Sequence, residues 1–145
     1  MSADFDASEF FDLFVQEAKE QIEALDRALI GLEQQPHAPD LIEQIFRAAH
    51  SLKASAASQG FEEMSHISHA LENVFERIRN GELTTEAELI DLLLAGVDAL
   101  KTHLNSAIAS EAASSRIPLP MSRDAKKRIE AVVRVHGPNR WPRYS

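Results

Sequence analysis

The chain has no cysteine, five glycines, one tryptophan and one tyrosine among its 145 residues. The lack of cysteine excludes disulfides, a thiol nucleophile and a thiolate metal site. So few glycines, scattered singly, leave no glycine-rich loop to cradle nucleotide phosphates, so any ATP must be bound by another domain or chain. No apolar run is long enough to span a membrane; the best stretch, Leu89 to Leu100, is interrupted by Asp91 and Asp98. The N-terminus opens on Asp4 and Asp6, unlike the basic start of a secretory signal. These absences predict a cytoplasmic protein with no membrane insertion. No alternating strand pattern and no internal repeat stands out.

What is present is a globular composition, 44% hydrophobic, with an uneven charge. Residues 1–115 carry 7 Lys/Arg against 21 Asp/Glu, a net of −14, and residues 116–145 carry 8 against 2, a net of +6. An acidic body argues against nucleic acid, which needs a basic face. The sequence divides into a helical body over 1–110 and a basic tail over 111–145. The tail reads either as a solvated linker or as a segment that meets acidic surface, its own or a partner's.

Four amphipathic helices are predicted. The first runs from Ala7 to Glu33, with Asp6 and Glu9 at capping-box spacing and a stripe of Phe10, Phe14, Ala18, Ile22, Leu25, Leu29 and Leu32. Pro36 and Pro39 break the chain, and Pro39 suits the first position of a second helix reaching Gln59, with Gly60 as its C-terminal cap. The third runs from Phe61 to Asn80-Gly81, with Met64, Ile67, Leu71, Val74 and Ile78 inward. Thr85 and Glu88 form a second capping box opening a fourth helix to Ala109, whose inner face is Leu89, Leu93, Val97, Leu100 and Leu104. Short connections make this an all-α fold, an antiparallel four-helix bundle. Residues 123–136 fit either a short fifth helix with Ile129, Val132 and Val133, stopped by Gly137-Pro138, or a linker.

His50 stands out against this background. The stripe of its helix is Leu41, Ile45, Ala48, Leu52 and Ala56. At roughly 100° per residue, His50 lies about 160° from both Ala48 and Leu52, so it faces solvent at mid-helix. Phe46 precedes it by one turn and Lys53 follows by one turn. The third helix brings His69 and Glu72, one turn apart, within reach from the side. An imidazole held at one nitrogen and open at the other is arranged as a nucleophile.

The segments Phe46-Arg47-Ala48-Ala49-His50-Ser51-Leu52-Lys53, Gly60-Phe61 and His69-Ala70-Leu71-Glu72-Asn73 resemble the histidine-phosphotransfer (HPt) domain at the N-terminus of CheA-type chemotaxis kinases. The resemblance covers residues 6–105. It departs at Ala54 and Ser55, where the family usually has glycines that let a partner approach; small residues there imply slower or more selective transfer. The resemblance implies a phosphocarrier that is not an enzyme on its own. His50 would take a phosphoryl group, Glu72 would hold one ring nitrogen, Lys53 would neutralise phosphoryl oxygens, and His69 would complete the hydrogen-bond network. The implied partners are a CheA-type kinase catalytic domain and a receiver domain of a CheY-like or CheB-like response regulator. ATP and Mg²⁺ would belong to those partners, and no cofactor to this domain. Phe46, Ala49, Ala57 and Ser58 are the expected docking contacts, with Glu43, Glu62 and Glu76 steering at the rim.

Each residue also has a plainer reading. Lys53 is an ordinary solvated lysine, Glu72 a surface carboxylate paired with Arg77 or Arg79, and Phe46 part of the core. His66 is placed nearer the buried side, and His37, His103 and His136 have no motif around them. A di-iron centre is disfavoured, because Glu63-Met64-Ser65-His66 is the single Glu-x-x-His motif. A surface metal at His50, His69 and Glu72 would face repulsion from Lys53. An adaptor bundle without phosphate chemistry is the remaining rival.

Overall fold

The computed structural model describes residues 7–112, 127–129 and 131. Four helices follow in chain order: α1 (Ala7–Gln34), α2 (Pro39–Ser58), α3 (Glu62–Arg79) and α4 (Ala87–Ala112). Each packs on two others, in the cycle α1–α2–α3–α4, and the diagonal pairs α1/α3 and α2/α4 stay apart. That is the square section of a four-helix bundle. Cross-helix contacts run in reversed order along neighbouring helices. Glu43 meets Arg79 while Lys53 meets Glu72, and Gly31 faces Leu41 while Phe14 lies beside Ser55 and Ser58. The bundle is therefore antiparallel.

The turns follow from local chemistry. Pro39 occupies the first turn of α2, where its missing N–H costs no bond. Gly60 (φ +81°) and Gly81 (φ +77°) sit in the left-handed region. At the end of α2 the Gly60 N–H donates to the Ala57 carbonyl and the Phe61 N–H to that of Ala56; at the end of α3 Gly81 donates to Ile78 and Glu82 to Arg77. Both are Schellman closures, and both need the conformation a glycine adopts without strain. Phe61 then turns inward, its ring 5.1 Å from Phe14 and 6.0 Å from Phe11. The Gly60-Phe61 pair is thus a stop signal joined to an aromatic anchor. At the other end the Thr85 hydroxyl donates to the Pro36 carbonyl and ties two connections together. α4 begins later than expected, because the Glu86 carbonyl is the acceptor of the Ile90 N–H. Asp6 lies outside the described residues.

The interior contains nearly all the expected stripe residues, and it adds Phe75 of α3 and Ile90 of α4, both fully buried. In the first turn of α1 the buried aromatic is Phe11 (7% exposed) and not Phe10 (44%). Phe11 lies closer to the middle of the buried arc defined by Phe14, Ala18, Leu25 and Leu29. Leu41 is half-buried, and Ile42 takes the inner position instead. Leu83, in the α3–α4 connection, is fully buried. In the tail, residues 127–129 and 131 are helical and Ile129 is buried in the core. A Cβ on Gly96 would stand 2.7 Å from Ile129 Cδ1 and 3.2 Å from Leu71 Cδ2, so this glycine provides the notch that Ile129 fills. The hydrophobic interior therefore draws on a residue well past 110. Val132, Val133 and the rest of 123–136 lie outside the described residues.

Candidate functional site

The site forms where α2 and α3 approach closely. The face that α2 turns to its neighbours carries Ala48, Ala49 and Ala56, whose short side chains let the helices come near. The Ser65 hydroxyl of α3 also donates to the Lys53 carbonyl, linking the two backbones beside the site. Glu72 sits at this seam, its side chain 9% exposed. His50 Nδ1 lies 2.5 Å from Glu72 Oε2, and Lys53 Nζ lies 2.6 Å from Oε1. Both carboxylate oxygens are thus engaged, one by each residue of α2.

The charge state of Glu72 follows from this. Burial, the largest single influence, would raise its pKa, but the hydrogen bonds and charges of Lys53 and His50 together outweigh it. The net result lies below the ordinary value of 4.5, so the group is an anion near neutrality. An anionic acceptor requires a proton on His50 Nδ1. The imidazole side chain is 59% exposed, so with Nδ1 turned to Glu72 the opposite edge, with Nε2, is presented to solvent. In neutral imidazole Nε2 then carries the lone pair.

The other expected residues are placed unevenly. His69 is exposed on α3 and makes no side-chain hydrogen bond among the described residues, so it does not join the network. Both Glu72 oxygens are engaged by His50 and Lys53. Ala49 is fully buried, so it cannot be a docking contact. It lies close to Ile45 around the helix, on the part of α2 covered by neighbouring helices. Ala57 and Ser58 are exposed at the last turn of α2, and Phe46 is half-buried against the core. His66 is exposed rather than inward, lying roughly 160° around α3 from Met64. Glu72 pairs with neither Arg77 nor Arg79; Arg79 lies instead 3.7 Å from Glu43. Glu43 also holds Arg47 at 3.4 Å, while Glu62 and Glu76 are exposed. His103 is held below the ordinary histidine value by burial, against the opposing charge of Glu63. Among the described residues no three His, Asp or Glu side chains converge to hold a metal ion.

One part of the site was not visible in the linear pattern. The Arg79 guanidinium lies 3.9 Å above the centre of the Phe46 ring. That ring stacks on His50, with centroids 6.3 Å apart and planes 13° from parallel. The only sequence signal was that Arg79 stands two turns after Glu72 on the same helix.

An exposed imidazole, held at Nδ1 by a buried carboxylate on the side of a four-helix bundle, defines a phosphotransfer-type bundle. Residues 9–103 match the Hpt domain family. The chain is 37% identical over 103 residues to the chemotaxis protein CheA of Bacillus subtilis, covering 71% of this chain and 15% of that protein. It is 39% identical over 101 residues to CheA of Borreliella burgdorferi, covering 70% and 12%. The CheA phosphotransferase domain from Thermotoga maritima superposes with a TM-score of 0.66 at 36% identity, over 69% of this chain and 95% of that one. The fold is shared with the phosphorylated P1 domain of CheA3 from R. sphaeroides, solved with CheY6, at a TM-score of 0.78 and 18% identity over 89% and 98%. This chain belongs to the Hpt domain family, among the phosphotransfer domains of CheA-type chemotaxis histidine kinases. It spans about one-seventh of the length of the whole kinases it matches. Among the described residues no helix is long and apolar enough to cross a membrane.

Proposed function

We propose that His50 is the phosphoryl carrier of this domain. Nε2 attacks the γ-phosphorus of ATP held by a CheA-type kinase catalytic domain; the N–P bond forms as the bond to the ADP oxygen breaks. The attack leaves the ring positively charged, and Glu72 stabilises that charge through the Nδ1 proton, which stays in place. A receiver-domain aspartate, of a CheY-like or CheB-like regulator, then attacks the phosphorus. The N–P bond breaks and neutral imidazole returns. Lys53, beside the ring, offsets the charge of the phosphoryl oxygens. His69 borders the site as an exposed neighbour. ATP and Mg²⁺ remain with the partners, which in this reading meet the domain in the cytoplasm.

The observation that carries the reading is the 2.5 Å contact between His50 Nδ1 and a buried, anionic Glu72. It fixes the tautomer that makes Nε2 the nucleophile. The test mixes the domain with ATP, Mg²⁺ and a CheA-type catalytic core lacking its own HPt domain, for wild type and His50→Gln. Acid-labile, alkali-stable label on wild type alone is the expected result. Labelling absent with several cores, one of them from the same genome, would contradict it and leave the adaptor reading.

A further inference from the structure

The hydrogen bond from Nδ1 to Glu72 fixes one atom of the imidazole but not its plane. The ring can still swing about that bond and carry Nε2 with it. In-line attack requires the Nε2 lone pair, which lies in the ring plane, to point at phosphorus, so a second contact that sets the plane bears on the rate.

Phe46 supplies such a contact. It precedes His50 by one turn of α2, and the nearly parallel rings are within the range at which aromatic pairs attract. Phe46 is itself pinned from the neighbouring helix. Arg79 stands over its ring in cation–π geometry, and the guanidinium is steadied by Glu43. A continuous set of contacts, Glu43–Arg79–Phe46–His50, thus runs along the α2/α3 seam to the reactive ring. We propose that Phe46 is a positioning residue that sets the imidazole plane, and that Arg79 acts through Phe46. The proposal rests on His50 being the phosphoryl acceptor. It assigns Phe46 a role different from partner docking, and the two roles separate in kinetics: a docking contact governs KM, a positioning contact kcat.

The experiment compares wild type, Phe46→Leu, Phe46→Tyr, Arg79→Gln and the double variant Phe46→Leu/Arg79→Gln. One readout is kcat and KM for phosphorylation by the catalytic core. The other is the proton chemical shift of the His50 ring in the unphosphorylated domain, which reports the neighbouring aromatic ring without any phosphorylation. Phe46→Leu is expected to lower kcat about threefold to tenfold with KM unchanged. Arg79→Gln should lower it about twofold to fivefold. The double variant should be no slower than Phe46→Leu alone, because Arg79 acts through the ring that is gone. Phe46→Tyr should retain wild-type kcat, and the His50 ring protons should shift in Phe46→Leu. A rise in KM at unchanged kcat, independent effects in the double variant, or unmoved His50 resonances would each overturn the proposal. A wild-type domain that takes no label would instead refute the phosphocarrier reading, and the resonances would still decide whether the Phe46 ring lies against His50.

Discussion

Two lysine–carboxylate clusters stand on opposite seams of this bundle, and they differ in their third member. On the α2/α3 seam Glu72 binds Lys53 and His50. On the α1/α4 seam Lys101 binds Asp26, with Asp98 at 3.7 Å. The first shares a carboxylate between two basic groups; the second shares a lysine between two carboxylates. Glu72 is nearly buried, whereas Asp26 is 26% exposed and Asp98 is largely in solvent. In the second cluster Lys101 pairs with both carboxylates, and the bond to Asp26 holds its pKa up. In the first, the imidazole has a second nitrogen that the carboxylate does not use. A surface ion pair becomes a reactive arrangement when one member is bifunctional and its free end faces solvent.

The comparison can be broken most strongly at Glu72. Glu72→Gln keeps the shape but removes the anion that fixes the His50 tautomer and balances its charge. Phosphorylation by the catalytic core should fall about 100-fold, as for loss of a group acting in proton positioning. The same variant has a pH signature. The folded-state pKa of Glu72 is depressed, so its stabilisation is fully present above the ordinary value of 4.5 and is lost as pH falls through the lower folded value. Thermal unfolding of wild type below pH 4.5 should therefore decline more steeply than that of Glu72→Gln. Equal slopes would mean that Lys53 and His50 do not hold the carboxylate ionised.

Lys53→Met comes next. It frees one Glu72 oxygen and removes a cation beside the phosphoryl group, while His50 keeps its hydrogen bond. Phosphorylation should slow about tenfold, with the label still on His50. A loss as large as that of Glu72→Gln would make Lys53, and not the carboxylate, the dominant group. The smallest effect belongs to the opposite seam. Lys101→Met should change stability by no more than about 1 kcal/mol in chemical denaturation, as for other partly exposed pairs. It should leave the phosphorylation rate unchanged. A slowed rate would show that the two seams are coupled.

The sequence made some of this legible and hid the rest for physical reasons. Helix ends marked by Pro39, Gly60 and Gly81 could be read because the chemistry is local: a fixed φ, or a left-handed residue closing two bonds. His50 could be read because its angle to the α2 stripe is a matter of periodicity alone. Phe10 and Phe11 were confused because adjacent aromatics both border an apolar stripe, and the neighbouring Phe61 decides which turns inward. Ala49 looked like a surface residue because alanine fits either environment; its burial depends on α2 having neighbours on two sides. Ile129 could be read as an apolar position of a short fifth helix, but its seat could not, because that seat is a notch at Gly96, in another helix. The stack of Arg79, Phe46 and His50 joins two helices, its nearest members across them, His50 and Arg79, standing 29 positions apart, and no one-dimensional spacing encodes such contacts.

The most direct test of the account concerns which nitrogen of His50 carries the phosphoryl group. Phosphorylated, ¹⁵N-histidine-labelled domain would be examined by ³¹P–¹⁵N correlation NMR. The geometry predicts phosphorus coupled to Nε2 of His50, with a proton retained on Nδ1 and bonded to Glu72. Phosphorus on Nδ1, or on any other side chain, would contradict the claim that Glu72 directs the nucleophile.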